Sequence, residues 1–415
     1  MKNKQEMKLL TEILGLEGMV VYSRQQHNGI GIILQVESIK LSATCNDCGR
    51  KSSKLHENHR YLVKDLSWGE QAVFLKINRR QFKCEECKKP FSEKLSFIGG
   101  RRNYTKRLAI ETIKEVLADS ISGVARKGIV TAEEIEGMLK DASKEILELK
   151  PLELKRLGID EIALIKGQGN YCAVLVDIDR GELIAILPSR KQEEIKKTLL
   201  TWGSEVLGRI EEVSIDLWKG YKSLVIELMP NAQVVADRFH VMIQINKELD
   251  QARKTEKRAV EKIIKQTKEL AEKKKQEQIL MGIKSSKYPL LKNEVSLSLD
   301  QKNKLAEVKA VSPTLNIMHR LKEEFREIFE KHQSWLDGLS QLGTWLSKAK
   351  KYFTDSYGTV VRWLDEIIAY FDNRTTSGVV EGINNKLKLI KRSGYGFTNF
   401  DNFKVRCLLN WYFNV

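Results

Sequence analysis

The period of hydrophobic and polar positions changes several times along the chain, and each change marks a different kind of element. Behind a short helix at Met7–Leu14, short apolar runs rich in Val, Ile, Leu and aromatic residues over Met19–Ser23, Gly31–Val36 and Gln71–Ile77 predict strands. From Thr105 the apolar spacing becomes three and four. This predicts helices over Thr105–Ala118 and Ile121–Lys127 and, after a turn at Gly128, a third opened by Thr131 with Glu134 three residues later, a capping-box pattern. After Pro151 come three β-branched runs, Leu157–Lys166, Tyr171–Ile178 and Glu182–Leu187, joined by turn residues at Gly167–Asn170 and Asp179–Gly181, and these predict a meander. A helix (Gln192–Leu207), a strand (Glu212–Asp216), a helix (Tyr221–Leu228), a strand (Gln233–Ala236) and a further helix opening near Phe239 follow. From Asn246 to Lys351 the composition is wholly helical and rich in Lys, Glu and Gln, broken once at Ser285–Pro289. It reads as a helical insertion or a coiled-coil-like arm, and its charge run reads equally as a solvated face.

Composition narrows the classes. With 415 residues, 42% hydrophobic and 30% charged, the chain is long enough for two or three domains and too apolar for wholesale disorder. No apolar stretch approaches the roughly 18 residues of a membrane span, and the Lys-rich N-terminus lacks the apolar core and cleavage site of an export signal. A cytoplasmic protein without a membrane partner is expected. Lys and Arg number 71 against 55 Asp and Glu, a net charge of +16 that favours a polyanionic partner without requiring one.

Six cysteines are too few for a disulfide scaffold, but four of them form two C-x2-C pairs, Cys45/Cys48 and Cys84/Cys87; Cys172 and Cys407 stand alone in apolar runs. In a reducing compartment such pairs read as metal ligands. Two of these turns brought together close a four-sulfur tetrahedron around Zn²⁺, which leaves no open position and makes the zinc structural. His56 and His59 lie between the pairs and could replace a ligand, though a complete cysteine set makes that unnecessary. Beyond them, Arg79 to Arg107 is thick with cations, among them Arg79, Arg80, Arg101 and Arg102, interleaved with Phe82, Phe91, Phe97 and Tyr104. That suits phosphate contacts, with a solvated basic face as the other reading. The three short helices that follow resemble a helix-turn-helix, except that the would-be recognition helix opens with Glu133, Glu134 and Glu136, which repel phosphate.

Three antiparallel strands followed by alternating helix and strand is the layout of an α/β, ribonuclease-H-like sheet. The expected organisation is a zinc-ribbon domain over residues 1–98, a helical, helix-turn-helix-like DNA-binding region over 99–150, the first part of the catalytic core over 151–245, the all-helical insertion over 246–355, and the second part of the core over 356–415. In such a sheet the first and fourth strands are neighbours, so Asp160 in "GIDEIALI" and Asp216 in "VSIDLWKGY" can face one cation. Glu381 lies near the start of a helix whose apolar stripe is Val380, Ile383, Leu387 and Ile390, and Glu381, Asn385, Lys388 and Arg392 share one flank of it. Three such carboxylates suit Mg²⁺, or a pair of ions that activates a hydroxyl for in-line attack at phosphorus. With water as nucleophile the result is strand cleavage; with a DNA 3′-hydroxyl it is strand joining.

The stretches "LGIDEIAL", "VSIDLWKGY", "MPNAQVVADRFHVM" and "TTSGVVEGINNKLKLIKRSGYGFTNFDNFKVRCLL" resemble the transposases of bacterial insertion sequences of the ISL-three group, and the likeness covers most of the chain. The resemblance implies an enzyme with an N-terminal zinc ribbon, a helical DNA-binding region and a DDE catalytic domain in which Asp160, Asp216 and Glu381 hold Mg²⁺ or Mn²⁺. It implies binding of double-stranded DNA at the terminal inverted repeats of an insertion sequence, cleavage there and transfer of the ends to target DNA. It further implies a homodimer or higher oligomer on DNA, associated with the nucleoid. Arg79, Arg80, Arg101, Arg102, Lys388 and Arg392 are the DNA-binding candidates. The "ADRFH" phrase is another hallmark of the group: Asp237 and His240 either border the active site or form a buried, hydrogen-bonded structural pair. The alternative function is a transposase-derived, sequence-specific DNA-binding protein that is no longer catalytic; intact acids speak against it. A structure-selective nuclease on the same fold would share the metal site without needing the zinc module.

Overall fold

The computed structural model describes residues 2–163, 171–331, 334–375, 378–393 and 399–414. The chain divides into two units, Met1–Glu148 with Leu409–Val415, and Leu149–Leu408.

The first unit runs α1 (Lys2–Leu14), β1 (Met19–His27), β2 (Gly31–Ser38), the two-residue strands β3 (Ala43–Thr44) and β4 (Lys51–Ser52), β5 (Leu55–Trp68), β6 (Gln71–Lys83), β7 (Pro90–Ser92), and the helices α2 (Lys106–Ala118), α3 (Ile121–Ala125) and α4 (Ala132–Leu147). The main sheet is ordered β1-β2-β6-β5, with β7 added along the far end of β6, and β3 pairs with β4. Alternation drives its core: Leu34, Val36, Val63, Leu75 and Ile77 are buried while the residues between them face out. The long strand β5 lies outside the strands expected from the sequence, because its first half is exposed on both faces and carries no hydrophobic alternation. It is held instead by pairing with β6 from Leu55↔Phe82 to Trp68↔Gln71, turned by Gly69 at φ 61°. The buried Asp65 of β5 then ties the unit together: it accepts from Thr105 Oγ1 at 2.7 Å and from Arg107 Nε at 2.7 Å, while Arg107 also donates to the Leu14 carbonyl at 2.8 Å. Strand, helix N-terminus and α1 thus share one satisfied polar cluster.

The second unit contains β8 (Arg156–Ala163), β9 (Tyr171–Asp177), β10 (Glu182–Leu187), α5 (Gln192–Trp202), α6 (Ser204–Arg209), β11 (Glu212–Ile215), α7 (Lys219–Leu228) and β12 (Gln233–Ala236). The remainder is helical: α8 (Arg238–Gln266), α9 (Leu270–Ile283), α10 (Lys287–Leu291), α11 (Leu299–Val311), α12 (Pro313–Glu330), α13 (Trp335–Ala349), α14 (Thr354–Arg362), α15 (Leu364–Ile368), α16 (Tyr370–Asn373), α17 (Gly378–Ser393) and α18 (Phe400–Tyr412). The sheet order is β10-β9-β8-β11-β12: β8, β9 and β10 are antiparallel, and β8, β11 and β12 are parallel. The expected first strand continues to Lys166, and 164–170, including the expected turn at Gly167–Asn170, lie outside the described residues. The helix expected over Gln192–Leu207 is two helices, because Gly203 at φ 89° breaks it.

The long helical region is not an arm. Leu249, Val260, Phe325, Phe329, Trp345 and Phe353 belong to the same hydrophobic core as Leu175, Ile215 and Val235 of the sheet. On α12 the apolar stripe Leu315, Met318, Leu321, Phe325, Ile328 and Phe329 is buried along its whole length, and Trp345 of α13 donates its Nε1–H to the Leu321 carbonyl at 2.7 Å.

Candidate active site

Register brings the acids together. Ile159 of β8 pairs with Ile215 of β11, and Ile215 pairs with Ala236 of β12, so the next residue on each parallel strand is an aspartate: Asp160, Asp216 and Asp237. Three carboxylates therefore stand side by side, Asp216 and Asp237 just past the C-terminal ends of β11 and β12 and Asp160 within β8, which runs on to Ala163 beside them, on the side of the sheet where a ligand can enter. Asp237 also caps α8, accepting from Phe239 N at 2.9 Å, and this places His240 on the first helical turn. The His240 Nε2 lies 2.6 Å from Asp216 Oδ1, 3.7 Å from Asp237 Oδ2 and 4.0 Å from Asp160 Oδ1. Donor atoms of Asp160, Asp216 and His240 all lie within 4.8 Å of one another, close enough to share one ion.

Electrostatics matches that geometry. Burial raises the Asp160 carboxyl to about 6, helped by the charges of Asp216 and Asp237 and opposed by the Glu161 N–H and by His240. Burial alone would lower His240, but its hydrogen bond to Asp216 and the three carboxylates hold its proton, raising it to about 9. A cluster that needs a cation to offset its carboxylates fits a divalent ion of the Mg²⁺ or Mn²⁺ kind, which takes hard oxygen donors.

A helix from much later in the chain completes the wall. On α17, Val380 packs over Gly158 of β8, where a Cβ would meet Val380 Cγ2 at 3.0 Å, and the buried Asn384 donates to Asp160 Oδ2. With Glu161 N donating to Asp160 Oδ1 at 2.7 Å, both oxygens of Asp160 are oriented. Glu381 sits on the first turn of the same helix, one turn before Asn384, and is exposed; it is not among the donors that converge on His240. Asn385, Lys388 and Arg392 are exposed further along α17.

In the first unit the four sulfurs of Cys45, Cys48, Cys84 and Cys87 also lie within 4.8 Å of one another, and Cys48 Sγ is 3.6 Å from Cys84 Sγ. Each pair sits in the same kind of turn. Cys45 N donates to the Arg50 carbonyl at 2.8 Å and Cys84 N to the Lys89 carbonyl at 3.0 Å, and the residue after each second cysteine is left-handed, Gly49 at φ 73° and Lys88 at φ 59°. Phe82 and Phe91 pack beneath Cys45 and Cys84. Four clustered sulfurs fit Zn²⁺; His56 and His59 are exposed on β5 outside the cluster.

Two family matches coincide with these two centres. Residues 42–87 match the family described as the zinc-finger of transposase IS204/IS1001/IS1096/IS1165, and residues 157–407, more than half of the chain, match the DDE family of ISL3 (ISL-three) elements described as Transposase. The chain belongs to the ISL3 transposase family. Among curated proteins it is 27% identical over 380 residues to the transposase for insertion sequence element IS1001 of Bordetella parapertussis, covering 87% of each chain. It is 26% identical over 375 residues to the transposase for insertion sequence element IS1557 of Mycobacterium tuberculosis, covering 85% of this chain and 82% of that one.

The transposase spends much of its basic segment on itself. Arg80, with a side chain only 14% exposed, donates to the carbonyls of Ser38 at 2.8 Å and Lys40 and pairs with Glu93. Arg79 Nε donates to the Glu93 carbonyl at 3.0 Å, and Arg102 makes a two-pronged pair with Asp141 at 2.7 and 2.6 Å. Arg101, Lys388 and Arg392 are the exposed members of the six DNA-binding candidates. The acid that seemed wrong for a recognition helix is part of the scaffold, since Glu134 accepts from Thr131 N at 2.8 Å, Lys64 Nζ at 2.7 Å and Asn103 Nδ2 at 3.1 Å. Asn384 is the site residue that sequence reasoning passed over. Its signal was an amide on the buried stripe side of a helix otherwise lined with Val, Ile and Leu, where a polar group needs a partner. Among the described residues no helix is long and apolar enough to cross a membrane.

Proposed function

We propose that this transposase binds the terminal inverted repeats of its own insertion sequence and performs metal-dependent strand cleavage and strand transfer with Asp160, Asp216 and Glu381. The observation that carries this reading is the register that sets Asp160, within β8, beside Asp216, just past the end of the neighbouring parallel strand β11, in an order of three antiparallel and two parallel strands that suits a ribonuclease-H-like core. Docking of α17 on β8 supports Glu381 as the third acid, since Asn384 on the same helix already holds Asp160. Residues 1–98 serve as a zinc ribbon holding Zn²⁺ through its four cysteines, 99–150 as a helical DNA-binding region, 246–355 as the insertion, and 151–245 with 356–415 as the catalytic core. The enzyme works in the cytoplasm on nucleoid DNA as a dimer or larger assembly across two ends.

A Mg²⁺ or Mn²⁺ ion held by these acids would supply the Lewis acidity that activates the attacking oxygen and stabilises the leaving one. The protein's own share is preorganisation. Asn384 and the Glu161 N–H fix the Asp160 carboxylate, Asp237 caps α8 and so sets His240, and the exposed Lys388 and Arg392 on α17 are placed to take backbone phosphates.

The test incubates purified protein and Mg²⁺ with labelled DNA carrying the repeats that flank its gene, beside Asp216→Ala and Asp160→Asn. Nicking at the repeat boundary that vanishes in both variants, with repeat binding intact, is the expected result. Binding without cleavage by the wild type across Mg²⁺ and Mn²⁺ would instead indicate a DNA-binding protein derived from a transposase, and cleavage retained by Asp160→Asn would remove that residue from the site.

A further inference from the structure

His240 stands inside the acid cluster and not at its edge. We infer that His240 is a nitrogen ligand of the divalent ion held by Asp160 and Asp216, and that it biases the site toward Mn²⁺ over Mg²⁺. The inference rests on the reading of these acids as metal ligands and adds a fourth residue, of a different chemistry, to Asp160, Asp216 and Glu381.

Distances carry the argument. Donors of one octahedral ion with bonds of about 2.1 Å are about 3 Å apart when adjacent and about 4.2 Å apart when opposite. The His240 Nε2 is 2.6 Å from Asp216 Oδ1 and 4.0 Å from Asp160 Oδ1, so both spacings reach those of a shared ion with movements of a few tenths of an ångström. The ring is delivered by a rigid base. Asp237 caps α8, the His240 N–H is within 3.1 Å of the Asp237 carbonyl, and the Phe239 ring stands edge-on to the imidazole at 6.1 Å and 88°. Glu381, exposed on α17, does not join these three donors, and among the described His, Cys, Asp and Glu residues His240 is the one that groups with Asp160 and Asp216. On coordination the Nε2 proton leaves to solvent and its lone pair enters the metal bond. Carboxylates alone suit Mg²⁺, whereas an imidazole in the set raises affinity for Mn²⁺ and the later transition metals. A purely structural imidazolium would make the opposite demand, competing with any ion for the carboxylates.

The experiment is Mn²⁺ titration of the full-length, zinc-loaded protein followed by pulsed electron paramagnetic resonance, with wild type, His240→Gln, His240→Asn and Asp216→Asn. Expected are nitrogen-14 modulation of the bound Mn²⁺ in the wild type, its loss in both His240 variants, and Mn²⁺ affinity lowered roughly 10-fold or more in them while Mg²⁺ affinity changes much less. Mn²⁺ bound by the wild type and lost in Asp216→Asn, but without nitrogen modulation, overturns the assignment of His240 and leaves the acid site standing. If the wild type takes up no Mn²⁺ that Asp216→Asn abolishes, both this inference and the metal site under it fall. Two substitutions at His240 keep the assignment testable if one of them fails to fold, and absence of nitrogen modulation in the wild type overturns it without any variant.

Discussion

His319 on α12 lets a single side chain be followed through the acid stability of the second unit. Its side chain is fully enclosed, neither ring nitrogen has a hydrogen-bond partner, and it faces Glu294 at 3.8 Å, Glu323 at 3.9 Å and the cations Lys309 and Lys322. Burial, reinforced by Lys322 and Lys309 and opposed by Glu323, lowers its pKa to about 3 from 6.5. Because the folded value is depressed, the unfolded chain takes the proton first. The contribution of the neutral imidazole is therefore complete above pH 6.5 and is lost as pH falls toward 3. At about 1.4 kcal/mol per pH unit, full protonation of the unfolded state costs about 5 kcal/mol, of which about 2 kcal/mol is felt between pH 7.5 and 5. Urea unfolding of wild type and His319→Met at the two pH values, followed by fluorescence, isolates the term: Trp345, on the neighbouring helix and bonded to Leu321, reports on α12. The variant should gain about 2 kcal/mol relative to wild type on going to pH 5. A difference between the two proteins that stays constant with pH would refute the buried, neutral histidine.

Gly158→Val should push α17 off β8, because the new Cβ meets Val380 at 3.0 Å and Ile178 at 3.4 Å; a loss of about 1–3 kcal/mol by thermal melting, together with weakened cleavage, is expected. Asn384→Ala should leave the fold intact but free one oxygen of Asp160, lowering metal affinity or cleavage about 10–100-fold, read by Mn²⁺ titration and the nicking assay. Lys88→Gly should stabilise the second cysteine turn by about 1 kcal/mol, since Lys88 is held at φ 59° where its counterpart is Gly49; slower zinc loss to a chelator is the check.

Most of the element types and both centres were legible along the chain. The two C-x2-C pairs, the apolar runs of β2 and β6, the three-and-four spacing of α17, and an aspartate inside one apolar strand and just after another are local patterns, written at short separations. Strand β5 left no such trace, because half of it faces solvent on both sides and its place comes from hydrogen bonding to β6. Arg80 and Arg102 looked like parts of a DNA surface in one dimension, and Glu134 like an obstacle to one; they prove to be tied to Glu93, Asp141 and Lys64.

The sequence by itself determined which residues could be ligands, through their types and spacing, since paired thiols and an acid set among apolar strand residues each need a partner for their charge. Only the tertiary structure decided which of them meet. Asp160, Asp216 and Asp237 align because parallel pairing sets β8, β11 and β12 in register; His240 joins them because a capped helix starts at that edge; and Asn384, 224 residues from Asp160, reaches it because α17 packs on a glycine. Such contacts depend on closing long loops over a shared core, and no local period records them.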